Sequence, residues 1–249
     1  MGAPGRGHEA LGGDRVIVLA IDTSTRQTSV AFGSHEGIHA STVLSTGKSH
    51  EQVVLPAVEH LLRWAEIPLS QVGGTAVGIG PGLFTGLRVG VETAKTLAQV
   101  LHVPLVGLPS LDVLAFAVRH VRRMICAVID ARRGEVFFAL YRPTPGGVTR
   151  TIEPMVCSPD ALAAELEASA EEVLLVGDGA LRYRRELETL GAQVEFASPA
   201  LAHPRASAMI ELSIPRFLRE DHDRLFDVAP LYLRKSDAEI GWDKRARAG

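Results

Sequence analysis

An apolar strand closing in Ile-Asp occurs twice in this chain, as Val18-Leu-Ala-Ile-Asp22 and as Cys126-Ala-Val-Ile-Asp130. Each copy is followed, after a short polar turn, by a second β-rich run, at 28–32 in one case and 135–141 in the other. Short apolar runs bounded by turn residues read as buried strands. Around the first copy the pattern predicts strands at 16–21, 28–32 and 38–44, a three-stranded meander with Gly33 and Gly37 flanking its turn. A helix follows, opened by Ser49 with Gln52 three residues on, the capping-box spacing. Pro56 inside it is expected to kink it. A strand at 75–79, a glycine loop, a helix, a strand at 105–108 and an apolar helical stretch at 111–121 complete the set. Around the second copy come a helix near 160–168, a strand at 173–176, a Gly177-Asp178-Gly179 turn and a further helix. Two such sets predict two similar α/β lobes facing across a cleft. The lobes are expected at 15–110 and 111–204, with a helix near 205–220 a candidate to return to the first. Residues 1–14 read as a flexible Gly-rich leader and 235–249 as a flexible charged tail. Trp242 stands alone in that tail.

The length of 249 residues is ample for such cores. Net charge is −3, which argues against a general nucleic-acid binder, although a local basic patch stays open. Cys126 and Cys157 show no CxxC spacing and read as reduced structural thiols. No apolar run approaches the roughly 20 residues of a membrane span. The N-terminus lacks the apolar centre of a signal peptide. A cytoplasmic protein without a membrane partner is expected.

The segment 78–98, GIGPGLFTGLRVGVETAKTLA, carries a strand through glycines into a helix. It is not a P-loop, because no lysine follows Gly86, only Leu87 and Arg88. Its glycines are spaced one residue too far for a dinucleotide fingerprint, and the next strand ends without the acid that would hold a ribose. Helix-start N–H groups could still take an anion. Two further turns are open to two readings. Asp22-Thr-Ser-Thr25 could hold a metal-bound phosphate or be a turn fixed by side-chain-to-backbone bonds. Gly177-Asp178-Gly179 could meet an adenosine or be a tight turn. No histidine pair has metal-ligand spacing on a helix, and no nucleophile stands out, so neither a metal nor a catalytic residue is expected.

The helices say more. At about 100° per residue, Arg88, Glu92, Lys95 and Gln99 gather on one side of the helix at 86–102, and nearly everything else is apolar or small. That arc spans roughly 200°, twice the stripe of about 100° that covers one core. The helix from Gln52 to Ala65 has a similar arc. Each therefore needs burial on two sides. Gly86, Gly90, Ala94 and Ala98, four apart, permit close approach of a neighbouring element. A partner subunit is favoured modestly over a neighbour in the same lobe.

Ile21-Asp22-Thr-Ser-Thr25, Gly80-Pro-Gly-Leu-Phe-Thr-Gly-Leu-Arg-Val-Gly90, Ile129-Asp-Ala-Arg-Arg-Gly-Glu135 and Pro230-Leu-Tyr-Leu-Arg234 together resemble the TsaB family, also called YeaZ. The likeness runs from about residue 16 to 234, and the glycine segment is its most specific part. It implies an actin/Hsp70-like (ASKHA) fold of two duplicated α/β lobes. It implies a role in making N6-threonylcarbamoyladenosine beside the anticodon of tRNA. In that system TsaD transfers the threonylcarbamoyl group from an adenylate, TsaE is an ATPase, and TsaB is a non-catalytic partner that binds and activates TsaD. Members pair through their first two helices, with TsaD or as homodimers. Carried onto this chain, the interface falls on Val54, Val58, Leu61, Ala65, Gly86, Gly90, Ala94, Leu97 and Ala98. Contact with tRNA is implied only through the complex. TsaD carries a histidine-rich metal motif where this chain reads Leu108-Pro-Ser-Leu-Asp-Val-Leu114, without histidine. Thr23 stands where ATP-using relatives of the fold have glycine, which argues against strong intrinsic ATP binding. No cofactor is firmly implied, but an adenine nucleotide at the subunit boundary is allowed. Its candidate weak contacts are Asp22, Thr23, Ser24, Gly82, Thr85, Asp130, Gly177 and Asp178. An ATP-dependent phosphotransferase or ATPase of the same fold is the alternative, and a glycopeptidase a more distant one.

Overall fold

The computed structural model describes residues 16–234. The leader at 1–14, the tail at 235–249 and Trp242 lie outside the described residues. The first sheet contains β1 (Ile17–Asp22), β2 (Thr28–Ser34), β3 (Gly37–Leu44), β4 (Val72–Gly80) and β5 (Leu105–Pro109), in the order β3-β2-β1-β4-β5. The second contains β6 (Met124–Arg132), β7 (Glu135–Thr144), β8 (Gly147–Cys157), β9 (Val173–Val176) and β10 (Val194–Phe196), in the order β8-β7-β6-β9-β10. The orders match strand for strand. In each lobe the central strand pairs antiparallel with the next in sequence and parallel with the fourth. This is the duplicated two-lobe α/β architecture of the actin/Hsp70-like fold.

Side-chain alternation along the central strands explains why they are apolar throughout. On one face of β1, Leu19 and Ile21 pack against Val54, Val58 and Leu61 of α1 (His50–Trp64) and Val91 and Ala94 of α2 (Phe84–Leu101). On the other, Val18 and Ala20 meet Met209, Ile210 and Phe217 of α7 (Ala206–Leu218). In β6, Ile125, Ala127 and Ile129 share a cluster with Leu111 and Leu114 of α3 (Ser110–Ala117). Cys126 and Val128 meet Leu162 and Leu166 of α4 (Pro159–Ser169) and Leu187 of α6 (Arg184–Leu187). The other short helix is α5 (Asp178–Arg182). Residues of α3 belong to both lobes' cores, with Val113 and Phe116 in the first and Leu111 and Leu114 in the second. One buried helix therefore couples the two sheets.

Three details depart from the sequence reading. Ser49 sits at the start of α1 in extended conformation, but its side chain makes no cap bond, and Gln52 N–H bonds the Ser49 carbonyl instead (3.1 Å), so the capping box is not closed. Helix α3 stops at Ala117, short of the anticipated 121. Strands β8 and β10 were not singled out by the sequence pattern.

Candidate functional site

The β1–β2 turn and the glycine loop form one packed unit. Asp22 Oδ1 accepts from Ser24 N–H (3.1 Å) and Ser24 Oγ–H (2.8 Å), while Oδ2 is buried with no partner. Burial pushes the Asp22 pKa up to about 6, against the pull of the Ser24 bonds. Thr23 Oγ–H donates to the Gly86 carbonyl (2.7 Å), and Leu83 N–H donates to the Ser24 carbonyl (2.7 Å). The glycines exist to admit this turn. A Cβ on Gly86 would stand 2.2 Å from the Thr23 carbonyl oxygen, one on Gly90 2.2 Å from Thr23 Oγ1, and one on Gly82 2.2 Å from the Ser24 carbonyl oxygen.

This geometry corrects one expectation. The small-residue row does not face outward: Gly86 and Gly90 pack on the chain's own turn, and Ala94 and Ala98 lie in the first lobe's core beside Val54, Val58 and Leu61. The wheel identified an apolar arc but could not say which part met the sheet. Ala65 and Leu97 are half-buried. Asp22, Thr23 and Ser24, the candidate nucleotide contacts of the first lobe, lie inside the fold. All three are buried, with Gly82, Gly86 and Gly90 packed on Thr23 and Ser24 and Gly78 of β4 on Asp22. Gly82 is half-buried against Ser24, and Thr85 is exposed on the first turn of α2.

The second turn faces the first across the lobe junction. Asp130 Oδ1 accepts from Arg132 N–H (3.0 Å) and Tyr183 O–H (3.4 Å). Asp130 Oδ2 lies 3.5 Å from the guanidiniums of both Arg132 and Arg182. Asp178 Oδ1 accepts from Asp130 N–H (3.1 Å), and its Oδ2 is 4.0 Å from His203 Nδ1. That same His203 nitrogen is 3.0 Å from Thr25 Oγ1. His203 thus joins the first lobe's turn to the second lobe's carboxylates. Burial pushes Asp178 up to about 6 and pulls His203 below its usual value. Gly177 is spent on packing, since a Cβ there would meet the Val128 carbonyl oxygen at 2.0 Å. The sequence missed His203, which has no periodicity or partner spacing to mark it.

A C-terminal strap crosses these elements. Asp223 pairs with Leu105 at the edge of β5 and accepts from Gly107 N–H (2.7 Å). Lys95 donates to the Val228 carbonyl (3.2 Å), and Leu231 N–H to the Ile79 carbonyl (2.7 Å). Tyr232 stacks on Phe84 with centroids 4.7 Å apart, and Arg234 reaches Glu135 of the second lobe (2.7 Å). The Pro230–Arg234 motif therefore ties the glycine loop to the other lobe.

The outer side of α1 and α2 carries three exposed apolar side chains among exposed polar ones such as Glu59, Arg63, Arg88, Glu92 and Gln99. Trp64 is 73% exposed, Val100 68% and Leu55 53%. The His60 ring lies 3.8 Å from that of Trp64. Beside them a groove of about 720 Å³ runs between α1 and the free edge of β3, lined by His39, Leu44, Pro56, His60 and Trp64. Among the described residues no three His, Cys, Asp or Glu side chains group as a metal ion would need. Residues 108–114 enter the buried helix α3.

A family model described as TsaD, tRNA N6-adenosine threonylcarbamoyltransferase, matches residues 36–242. The tRNA threonylcarbamoyladenosine biosynthesis protein TsaB of Bacillus subtilis is 30% identical, over 91% of this chain and 98% of that protein. Its counterpart of the same name in Haemophilus influenzae is also 30% identical, over 92% and 97%. The solved structure of YeaZ from Pseudomonas aeruginosa superposes with a TM-score of 0.76 at 27% identity, covering 88% of this chain and all of that one.

Proposed function

The chain belongs to the TsaB (YeaZ) family, and on that premise we propose that it serves tRNA threonylcarbamoyladenosine biosynthesis as a non-catalytic subunit that docks on TsaD and holds it in its active arrangement. The observation that carries this is the exposure of three large apolar side chains, Leu55 and Trp64 of α1 and Val100 of α2. A monomer gains nothing by exposing a tryptophan and two aliphatics on neighbouring helices, whereas burying them against a partner is favourable. The direct contacts are these outward residues with Ala65 and Leu97. The buried row from Gly86 to Ala98 acts from behind, holding α2 close to its sheet.

Three further points support the reading. The first turn is buried, with Gly82, Gly86 and Gly90 packed on Thr23 and Ser24. The stretch at 108–114, where TsaD carries its histidines, is spent on core packing by Leu111, Val113 and Leu114. The carboxylates at the lobe junction bind backbone and arginines of the chain itself. In the cytoplasm the chain would pair with TsaD and work beside TsaE, meeting a second copy through the same helices when alone. The test is sizing with mass measurement of the chain mixed with its cognate TsaD at micromolar concentration. A one-to-one complex is expected, lost with Trp64→Glu. Separate elution of the two native proteins would overturn the reading.

A further inference from the structure

Sheet edges carry unpaired backbone N–H and C=O groups that another strand can join, and soluble proteins ordinarily blunt them. Of the four sheet edges among the described residues, three are blunted. At β5 the edge is taken up by the bridge from Leu105 to Asp223 and by the bond from Gly107 N–H to the Asp223 carboxylate. Strand β8 carries Arg150, Glu153 and Pro154. Strand β10 has only three residues. Strand β3 has none of these devices. Its eight residues, Gly-Ile-His-Ala-Ser-Thr-Val-Leu, include no proline, carboxylate, lysine or arginine. Its one register shift against β2 falls at His39, and 40–44 run unbroken. Among the described residues β3 pairs with β2 alone.

The groove between β3 and α1 is a second, independent observation. Side chains alternate faces along a strand, so a groove lying on one face would touch every second residue. Here four consecutive residues, 39–42, line it, so the backbone edge itself borders the groove. The facing wall is a helical stripe of α1, with Pro56, His60 and Trp64 exposed and Leu61 buried. An edge strand flanked by a helix across a groove is an arrangement by which a sheet accepts an extended peptide. The edge bonds the peptide backbone, and the groove takes alternate side chains. At about 3.3 Å per residue, β3 offers about 26 Å of edge.

The charges lining the groove choose its occupant. Its titratable side chains are His39, Lys48 and His60, and among the described residues no carboxylate lines it. Glu36, Glu51 and Glu59 stand outside it, and Glu59 is bonded by Arg63 (2.8 Å). A second copy laid edge to edge would bring the same imidazoles and ammonium, and its β3 has no carboxylate to meet them. We propose that β3 and its groove take an extended, acidic segment of a partner protein as an added strand. Its apolar side chains would alternate against Leu44, Pro56 and Trp64, with a carboxylate on Lys48. The site uses neither Leu55 nor Val100 and does not rest on pairing with TsaD.

The test is selection of a phage-displayed library of random peptides on the full chain, followed by fluorescence anisotropy of the enriched peptides made synthetically with a label. Enriched sequences should alternate apolar residues and share a carboxylate. Hydrogen exchange in 37–44 should slow on binding, because outward N–H groups become bonded. Two N-methylated forms of each peptide separate strand addition from docking by side chains alone. Methyls on one alternate set of amides should weaken binding about tenfold or more, and methyls on the other set by less than about twofold, since only every second amide of an added strand faces its neighbour. Lys48→Glu should weaken binding about tenfold and Lys48→Arg by less than about threefold. Arg63→Glu makes the same charge change outside the groove and should alter binding by less than about twofold. Both positions are exposed, and circular dichroism checks that the variants fold. Failure to enrich any peptide above a surface without the chain would overturn the proposal. So would binders that leave exchange in 37–44 unchanged, methylated forms that bind alike, or equal losses in Lys48→Glu and Arg63→Glu. A homodimer in sizing with mass measurement that slows exchange in 37–44 would overturn the choice of occupant. Co-elution with TsaD, read on the same preparation, bears on the docking role alone.

Discussion

Asp22 should make the protein less stable as pH rises, because its carboxyl is buried against Gly78 of β4. Its carboxyl is fully buried, one oxygen is bonded by Ser24, and the other has no partner. Burial raises its pKa from the ordinary 3.8 to about 6. The folded state therefore holds the proton more tightly than the unfolded chain. The group favours folding fully below 3.8, and that advantage is lost as pH climbs to about 6 and beyond. A shift of about two units corresponds to about 3 kcal/mol across the whole window. Roughly half of it, about 1.5 kcal/mol, falls between pH 5 and pH 7.5. Asp178, also raised to about 6, adds a change of the same sign. The perturbation that isolates Asp22 is Asp22→Asn, which keeps the shape and cannot ionise. Its amide nitrogen would lie where Oδ2 now has no partner, so its stability offset from native is not the informative quantity. The informative quantity is how that offset changes with pH. Urea unfolding followed by circular dichroism at pH 5 and 7.5 should show the variant gaining about 1.5 kcal/mol on the native protein at the higher pH. An offset constant to within about 0.3 kcal/mol would refute the account of a buried, poorly compensated carboxylate.

Other perturbations follow from the same geometry. Gly90→Ala forces a Cβ to 2.2 Å from Thr23 Oγ1, and should lower monomer stability by about 1–3 kcal/mol in thermal melts, as overpacking does. Ala94→Glu should unfold the lobe instead of merely blocking pairing, since Ala94 is fully buried; a folded monomer by circular dichroism would contradict this. His203→Ala removes the contact between Thr25 and Asp178, and should speed proteolysis near the lobe junction while costing about 1 kcal/mol of stability. Calorimetry with Mg-ATP on the isolated chain should show no binding, because the first turn is buried; tight binding dependent on Asp22 and Asp130 would instead favour a phosphotransferase.

The duplication was legible because each central strand is buried on both faces and so spells the same apolar run twice, closing in Ile-Asp. The order of elements through α3 followed from periodicity and glycine punctuation. Strand β8 was harder. Its burial alternates between intermediate and exposed, and it carries Arg150, Glu153 and Pro154, so no apolar run marks it. Strand β10 has only three residues. At the site, the wheel showed that α2 is apolar over too wide an arc, but a wheel has no reference direction. Only the contact of Gly86 and Gly90 with Thr23 shows that the small side faces inward and the side bearing Val100 outward. The His203 bridge and the C-terminal strap join residues far apart in sequence, 178 apart for Thr25 and His203. Such pairs carry no local pattern.

The claim that α1 and α2 form the docking face is tested most directly by hydrogen exchange on the full chain with and without its cognate TsaD. Outer-face burial should slow exchange in segments 50–65 and 84–101, leaving α4 and the second sheet unchanged. Protection confined to the second lobe, or none under conditions where the two proteins co-elute, would contradict it.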